Sequence, residues 1–416
     1  MSRWIRTSLG ILLLLALMPA TPARAQTNAD CLFYGDHSTG AKYCITMPLP
    51  PPYGMWNGDL VIFAHGYVSV NEPVDIPWSQ MTFSDGMGSV ITMPFLVNSM
   101  GFAFATTSYS ENGLAIQPGI TDVLDLIEVF KTLVGTPNHI YLVGASEGGL
   151  VTTLAIERYP ESFSGGLATC GPIGSFTGQV NYWGDFRVVF DFFMDEPDID
   201  VLPGNAVNIP SSLMNKWDSE YVPLIAGLLA ANPLNTQHLL AVTGAPFDPF
   251  DPNTIGETTL GILWYNVFAT NDAIDKLGGR PFDNIDRVYS DPLDPSLDAL
   301  INTGVKRFKA QPDALEEIAN YYETSGNLML PLVTMHTTGD PIVPYWHLDL
   351  YEAKVGANPL YYNFPVPSRY GHCNFTLPEI VNSFGTLVFI STGTILPPPP
   401  FVLDAGVQAE AYQLSP

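Results

Sequence analysis

The chain has 416 residues, 16 Lys and Arg against 41 Asp and Glu, and a formal charge of −25 at pH 7. That balance excludes nucleic acid and anionic membrane surfaces as partners held by charge. With 14% charged and 46% hydrophobic residues the composition is that of an ordinary globular protein of one large or two modest domains, so the acidity reads as solubility and not disorder.

Residues 1–25 read as a secretory signal peptide: Arg3 and Arg6, an apolar run from Leu9 to Met18, then Ala23-Arg24-Ala25 before Gln26. The run is ten residues, too short to span a bilayer, and no later stretch is long and apolar enough to anchor the chain. Cleavage near Ala25 predicts a secreted protein, extracellular or periplasmic. It removes three arginines and no acids, which leaves 13 basic residues against 41 acidic ones and a charge of −28. Cys31, Cys44, Cys170 and Cys373 are an even number in a chain bound for an oxidising compartment, so two disulfides are expected, with three pairings possible. Cys31 and Cys44 flank a Gly- and Ser-containing turn at 35–40 and would close a short loop, contributing about 3 kcal/mol on the chain-entropy model. Residues 26–54 are thus read as a disulfide-tied N-terminal segment, broken by Pro48 and Pro50 to Pro52.

The first core strand is Leu60 to Ala64, running into His65-Gly66-Tyr67; a His after a strand is more often structural than catalytic, and His65 is expected to shape the loop. Phe102 to Thr106 is the next strand. Apolar residues at 120, 123, 124, 127, 130, 133 and 134 predict an amphipathic helix ended by Gly135 and Pro137. This strand–helix–strand spacing, leading into Ile140, is a right-handed crossover unit of a parallel sheet. Ile140 to Val143 are apolar at every position, as in a strand buried on both faces, and enter Gly144-Ala145-Ser146-Glu147-Gly148-Gly149. Leu150, Val151, Leu154 and Ala155 then form the stripe of a helix that Pro160 stops. Side chains at Gly144 and Gly148 would collide with backbone in so sharp a turn. Ser146 is pushed out at its apex, at a helix N-terminus where free N–H groups favour a bound oxyanion.

Phe163 to Cys170 gives a weaker strand, after which residues 174–326 alternate helical stretches with Asp-, Asn- and Pro-rich turns and hold Trp183, Trp217 and Trp264. They are read as an inserted helical cap. Tyr182-Trp183, Phe190 and Phe192-Phe193 are candidates for lining an acyl or aromatic pocket, the cap's own core being the more ordinary use of most of them. Asp-Pro pairs at 248–249, 251–252, 291–292 and 294–295 read as turns, since they lack the ligand spacing of a calcium loop. Strands resume at Leu330 to Met335 and Leu360 to Phe364, a last helix covers about Pro378 to Ile390, and residues 393–416 form a Pro-rich tail.

The strand, the Gly-x-Ser-x-Gly-Gly turn and the helix together resemble the α/β-hydrolase superfamily, as does the wording of Gly101 to Ser110, which is similar to secreted bacterial serine esterase and peptidase-like members. The resemblance implies an α/β fold: a mostly parallel sheet flanked by helices over 55–173 and 327–392, with the large, mainly helical cap at 174–326. It implies Ser146 as nucleophile, Asp340 in Gly-Asp-x-Ile-Val-Pro as acid, and His372 in Gly-His as general base, in the Ser…Asp…His order of the superfamily. His336 and His347 are runners-up to His372. The backbone N–H groups of Tyr67 and Glu147 are the implied oxyanion hole. Cys373 beside His372 resembles tannases and fungal-type feruloyl esterases, where a His-Cys pair is matched by a cysteine before the nucleophile; Ala145 stands there in this chain, and Cys170 is left to pair with Cys373. No metal-ligand spacing and no phosphate-binding glycine loop is found, so neither metal nor cofactor is expected. The expected activity is hydrolysis of neutral apolar or aromatic carboxylic esters, small or polymer-derived, through an acyl-enzyme, with no nucleic acid and no membrane anchor as partner. The alternatives are an exo- or oligopeptidase of prolyl-oligopeptidase-like type, with Asp185, Asp191, Asp195 and Glu196 as candidates to hold a substrate amine, and a silent binding protein on the same fold.

Overall fold

The computed structural model describes residues 27–48, 55–84, 90–195, 200–397 and 399. The expected signal peptide, Pro50 to Pro52, Glu196 and most of the Pro-rich tail lie outside the described residues.

The apolar runs become the middle of one eight-stranded sheet. Its strands are β1 (Phe33–Asp36), β2 (Lys42–Thr46), β3 (Leu60–Ala64), β6 (Ala103–Thr107), β7 (Ile140–Ala145), β8 (Gly165–Thr169), β9 (Leu332–Met335) and β10 (Tyr361–Asn363), in the order β1-β2-β6-β3-β7-β8-β9-β10. β4 (Thr82–Ser84) and β5 (Val90–Thr92) pair separately as a two-stranded hairpin. In the eight-stranded sheet β2 is antiparallel to both its neighbours, and every other pairing is parallel. The 26–54 segment therefore supplies two strands of the sheet. Sequence reading passed over them because β1 alternates half-buried and exposed positions and carries little apolar signal.

Side chains of β3 alternate between two cores, as strand geometry requires. Leu60, Ile62 and Ala64 face α2 (Ile116–Leu133) and α3 (Glu147–Arg158), where Val123, Leu126, Phe130, Leu150 and Leu154 are buried. Val61 and Phe63 face the other layer, α1 (Met93–Ser99) and α12 (Leu377–Thr392), with Leu96, Phe384, Leu387 and Val388. α2 begins at Ile116, four residues before its periodicity declares it, because the Glu147 side chain accepts the Ala115 N–H at 2.6 Å and holds that end.

Between β8 and β9 the described residues form seven α-helices: α4 (Phe176–Met194), α5 (Ser211–Asn215), α6 (Val222–Ala231), α7 (Pro233–Thr243), α8 (Asn253–Lys276), α9 (Asp298–Gly304) and α10 (Pro312–Tyr321). α4 to α9 share a core of their own around Phe186, Phe190, Leu213, Ile225, Leu239 and Ile262, whereas α10 buries Ala314 and Ile318 in the core on the α2–α3 side. α11 (Trp346–Val355) follows β9 and packs on the α2–α3 side.

Candidate active site

β3 and β7 are adjacent and parallel with Ala64 opposite Gly144, so the segments leaving them, Gly66-Tyr67 and Ser146-Glu147, emerge side by side. The chain crosses from β3 to β6 on one side and then to β7 on the other, and the crevice beyond the strand ends at such a switch is where open α/β sheets bind ligands. The turn at Ser146 is tight for a steric reason. A Cβ on Gly144 would stand 2.0 Å from the Gly148 carbonyl oxygen, and one on Gly148 would stand 2.0 Å from that of Ala64. Ser146 has φ 56° and ψ −123°, a conformation that a side chain occupies only when its surroundings enforce it, at a cost of about 1–3 kcal/mol. Its own N–H donates to the Thr169 carbonyl, which fixes the apex to β8.

The fold is that of the α/β-hydrolases. A strained serine between a central parallel strand and a helix, on a sheet with this strand order, has the strand–turn–helix geometry of the elbow of that fold. No protein-family model matches the chain, and no curated protein does. Among solved structures it is similar to an acylaminoacyl peptidase of Pyrococcus horikoshii (TM-score 0.37, 12% identity, 81% of this chain and 36% of that one). It is also similar to the rice cell wall degrading esterase LipA of Xanthomonas oryzae (0.39, 11%, 86% and 87%) and to oligopeptidase B of Leishmania major (0.40, 10%, 88% and 37%). The chain thus spans little more than a third of the length of the two peptidases. The assignment of the fold rests on strand order and elbow, not on these distant likenesses.

On this hydrolase fold, three residues distant in sequence meet. His372 Nε2 lies 2.9 Å from Ser146 Oγ, and His372 Nδ1 lies 2.7 Å from Asp340 Oδ2. Backbone pairing sets this register: Gly339 is bonded on both sides across the two loops, donating its N–H to the Arg369 carbonyl and accepting the Gly371 N–H on its own carbonyl. Asp340 Oδ1 accepts the N–H groups of Ile342 and Val343. Burial alone would raise the Asp340 carboxyl, but the charge and hydrogen bonds of His372 and His336 overcome it and hold it at about 2. The two runner-up histidines are otherwise engaged. His336 Nε2 lies 2.7 Å from the Val343 carbonyl and 3.5 Å from Asp340 Oδ2. His347 accepts the Gly174 and Ser175 N–H groups on Nδ1 and meets Gln179 Oε1 through Nε2, and burial keeps it neutral. Neither touches Ser146.

Tyr67 and Glu147 line one cavity with Ser146. The elbow presses on the loop after β3, since a Cβ on Gly66 would meet Ser146 Cβ at 3.2 Å. Gln80 clamps that loop: its Oε1 accepts the Gly66 N–H at 2.7 Å and its Nε2 donates to the Tyr67 carbonyl at 3.0 Å. Tyr109, itself at φ 55°, stacks on His65 at 3.9 Å and donates to the His65 carbonyl. Burial lowers His65 to about 4, so it is a neutral loop-shaping residue. Gln80 and Tyr109 escaped sequence reading, because no local pattern marks a side chain whose partners lie 13 to 44 residues away.

Cys31–Cys44 and Cys170–Cys373 are disulfides, and no described cysteine is free. The second ties the end of β8 to the residue after His372, and both its half-cystines have positive φ (44° and 52°). Cys170, His372 and Cys373 are the one grouping of metal-ligand type among the described residues, but the sulfurs are bonded to each other and offer no thiolate.

The cavity beside Ser146 lies between the sheet edge and the cap. Tyr67, Phe176, Trp183, Tyr265, Ile342 and Val343 stand in its wall, and the only Asp, Glu, Lys, Arg or His in its lining is Glu147. Of the aromatics singled out in the cap, Trp183 reaches this cavity, whereas Phe190 and Phe193 are buried in the cap core. The acids considered for an amine site are committed elsewhere. Asp185 accepts from the Tyr289 hydroxyl and pairs with Arg287, Asp191 pairs with the buried Arg187, and Asp195 accepts the Val201 N–H. None of the three lines the cavity.

Proposed function

We propose that the chain is a secreted serine hydrolase that cleaves neutral carboxylic esters through an acyl-enzyme. The observation that carries this reading is the hydrogen-bonded line from Ser146 through His372 to Asp340 at a nucleophile elbow. In this reading His372 Nε2 takes the Ser146 proton as Oγ attacks the ester carbonyl carbon. The oxyanion accepts hydrogen bonds from the Tyr67 and Glu147 N–H groups, the latter in the first turn of α3 with no partner four residues back. Collapse expels the alkoxide, which takes the proton from His372. Water then repeats the sequence on the acyl-enzyme and releases the acid. Asp340, held at about 2 and so ionised at neutral pH, keeps the second imidazole proton on Nδ1 and offsets the charge that His372 gains.

The preference for neutral esters is supported by the cavity wall, which is apolar apart from a few groups and holds no cation for a substrate carboxylate. A peptidase that grips a free amine would have to use Glu147. That carboxyl is tied to Ala115 and burial raises it to about 8, so it meets the substrate uncharged at neutral pH. Secretion is supported by the two disulfides, which form and persist in oxidising compartments. The test is labelling by a fluorophosphonate probe together with kcat/KM for neutral esters and aminoacyl-arylamides. Wild type is expected to label and to favour esters, and Ser146→Ala to do neither while melting as wild type. Full labelling of Ser146→Ala sinks the nucleophile, and faster cleavage of arylamides sinks the ester reading.

A further inference from the structure

α6 reads Val-Pro-Leu-Ile-Ala-Gly-Leu-Leu-Ala-Ala and carries no polar side chain on any face. A helix apolar all round is ordinarily buried all round. Here only Ile225 and Leu229 are buried, in the cap core with Ile262 of α8. Pro223, Leu224, Ala230 and Ala231 face solvent, and so does Leu234 in the first turn of α7, three residues past the end of α6, 69% exposed against 42% for Leu224. Charge sets this region apart from the rest of the molecule. Residues 221–247 contain no Asp, Glu, Lys or Arg, in a chain whose formal charge is −25. A ten-residue helix is about 15 Å long, half of what a bilayer core requires, so such a face lies on a surface and does not cross one. Beneath it runs α8, whose Tyr265, Ala269 and Ala273 line the cavity at Ser146.

We propose that the α6 face and Leu234 form an adsorption surface that settles the enzyme on aggregated neutral ester, a droplet of its own class of substrate. This rests on the neutral-ester reading above. Charge decides between the possible occupants. A second copy of the chain brings another −25 and an anionic membrane brings its own negative potential, so both meet repulsion that an uncharged ester surface does not. The uncharged stretch supplies apolar area to bury with no ion to desolvate.

The experiment uses the full secreted chain carrying Ser146→Ala, so that binding is read without turnover, and flotation with a neutral triacylglycerol emulsion. The protein is expected to float, and Leu224→Asp with Leu234→Asp to weaken binding at least tenfold; Leu224→Ser with Leu234→Ser repeats the test with a milder change. In the active enzyme the same pairs should slow hydrolysis of emulsified ester about tenfold and leave the rate on a short soluble ester unchanged. Failure to float, or equal flotation of both variant pairs, overturns the proposal. So does equal binding to anionic phospholipid vesicles, or a dimer in sedimentation that the substitutions dissolve, which would assign the face to a second copy. A wild type that floats but cleaves no soluble ester refutes the neutral-ester reading and leaves the surface standing.

Discussion

Replacing Glu147 by Gln tests the electrostatics of the elbow through stability. The side chain is buried beneath the cap, with Oε1 accepting the Ala115 N–H at 2.6 Å. Burial is the largest influence on its carboxyl and lifts it from 4.5 to about 8, assisted by Asp272 and Glu111 and resisted by the Ala115 bond and Lys276. Below pH 4.5 the folded and unfolded chains both hold this proton. Between 4.5 and 8 the unfolded chain has released it and the folded chain has not, so stability falls as pH rises through that window and levels off above it. At 1.36 kcal/mol per pH unit the ceiling on this loss is about 5 kcal/mol. Gln keeps an oxygen for Ala115 and cannot ionise. Glu147→Gln is therefore expected to equal wild type near pH 4.5 and to exceed it by more than about 2 kcal/mol at pH 8.5. Urea denaturation of both proteins across that range gives the difference directly, since the other titrating groups cancel. A difference that does not change with pH would refute the reasoning.

Asp340→Asn should lower kcat about 10⁴-fold and slow fluorophosphonate labelling, because Asn no longer enforces the His372 tautomer; near-normal rates would move the acid elsewhere. The same variant should flatten the acid limb of the stability profile, since the contribution of a carboxyl held at about 2 is complete above its ordinary 3.8 and is lost as pH falls toward 2. Opening Cys170–Cys373, by reduction or as the double Ser variant, should cost turnover while circular dichroism stays native, because the bridge fixes the residue next to His372; full activity after complete reduction would show that it does not shape the site. Gly148→Ala should destabilise by more than about 3 kcal/mol in denaturation, its Cβ meeting backbone oxygens of Ala64 and His65 at 2.0 and 2.6 Å; wild-type stability would contradict the packing described for the elbow.

The centre of the sheet was legible because β3, β6 and β7 are buried at nearly every position and write apolar runs into the sequence, whereas β8, buried but reading Gly-Gly-Leu-Ala-Thr, gives the weaker signal. Ser146, Asp340 and His372 were legible as residues because each follows a strand in a loop of distinctive wording. Their meeting depends on register, Ala64 against Gly144 and Gly339 against Tyr370, which no single stretch encodes. Where partners are remote the signal vanishes. Gln80 sits in an ordinary turn and matters only because Gly66 and Tyr67 pass beside it. β1 and β2 are strands by virtue of the edge of β6 that receives them. The side chain of Glu147 was invisible behind its own backbone, whose place after the serine had already given it a role.

The cap and the reaction centre share supports, and this bears on how such a chain changes substrate. α4 reaches down to the acid loop: Gln179 and Trp183 donate to the Ile342 carbonyl and Tyr182 to that of Pro341, two residues or fewer from Asp340. Tyr67, whose backbone is proposed to bind the oxyanion, donates its hydroxyl to the Phe268 carbonyl of α8 and packs edge-on to Trp264 and Tyr265. The residues of the cavity wall thus also hold the loops that carry the proposed acid and oxyanion donor. A substitution at Trp183 or Tyr265 aimed at the cavity disturbs the neighbours of Asp340 or Tyr67, and its effect should fall on kcat as well as on KM. Ala269 and Val207 line the same cavity from positions whose side chains make no hydrogen bond to either loop, so changes there should act on KM and chain-length preference alone. Kinetics of Ala269→Leu against Trp183→Phe on a series of acyl lengths separates the two cases, and a kcat loss of equal size in both would mean that the walls and the chemistry are coupled through the whole cap and not through these two contacts.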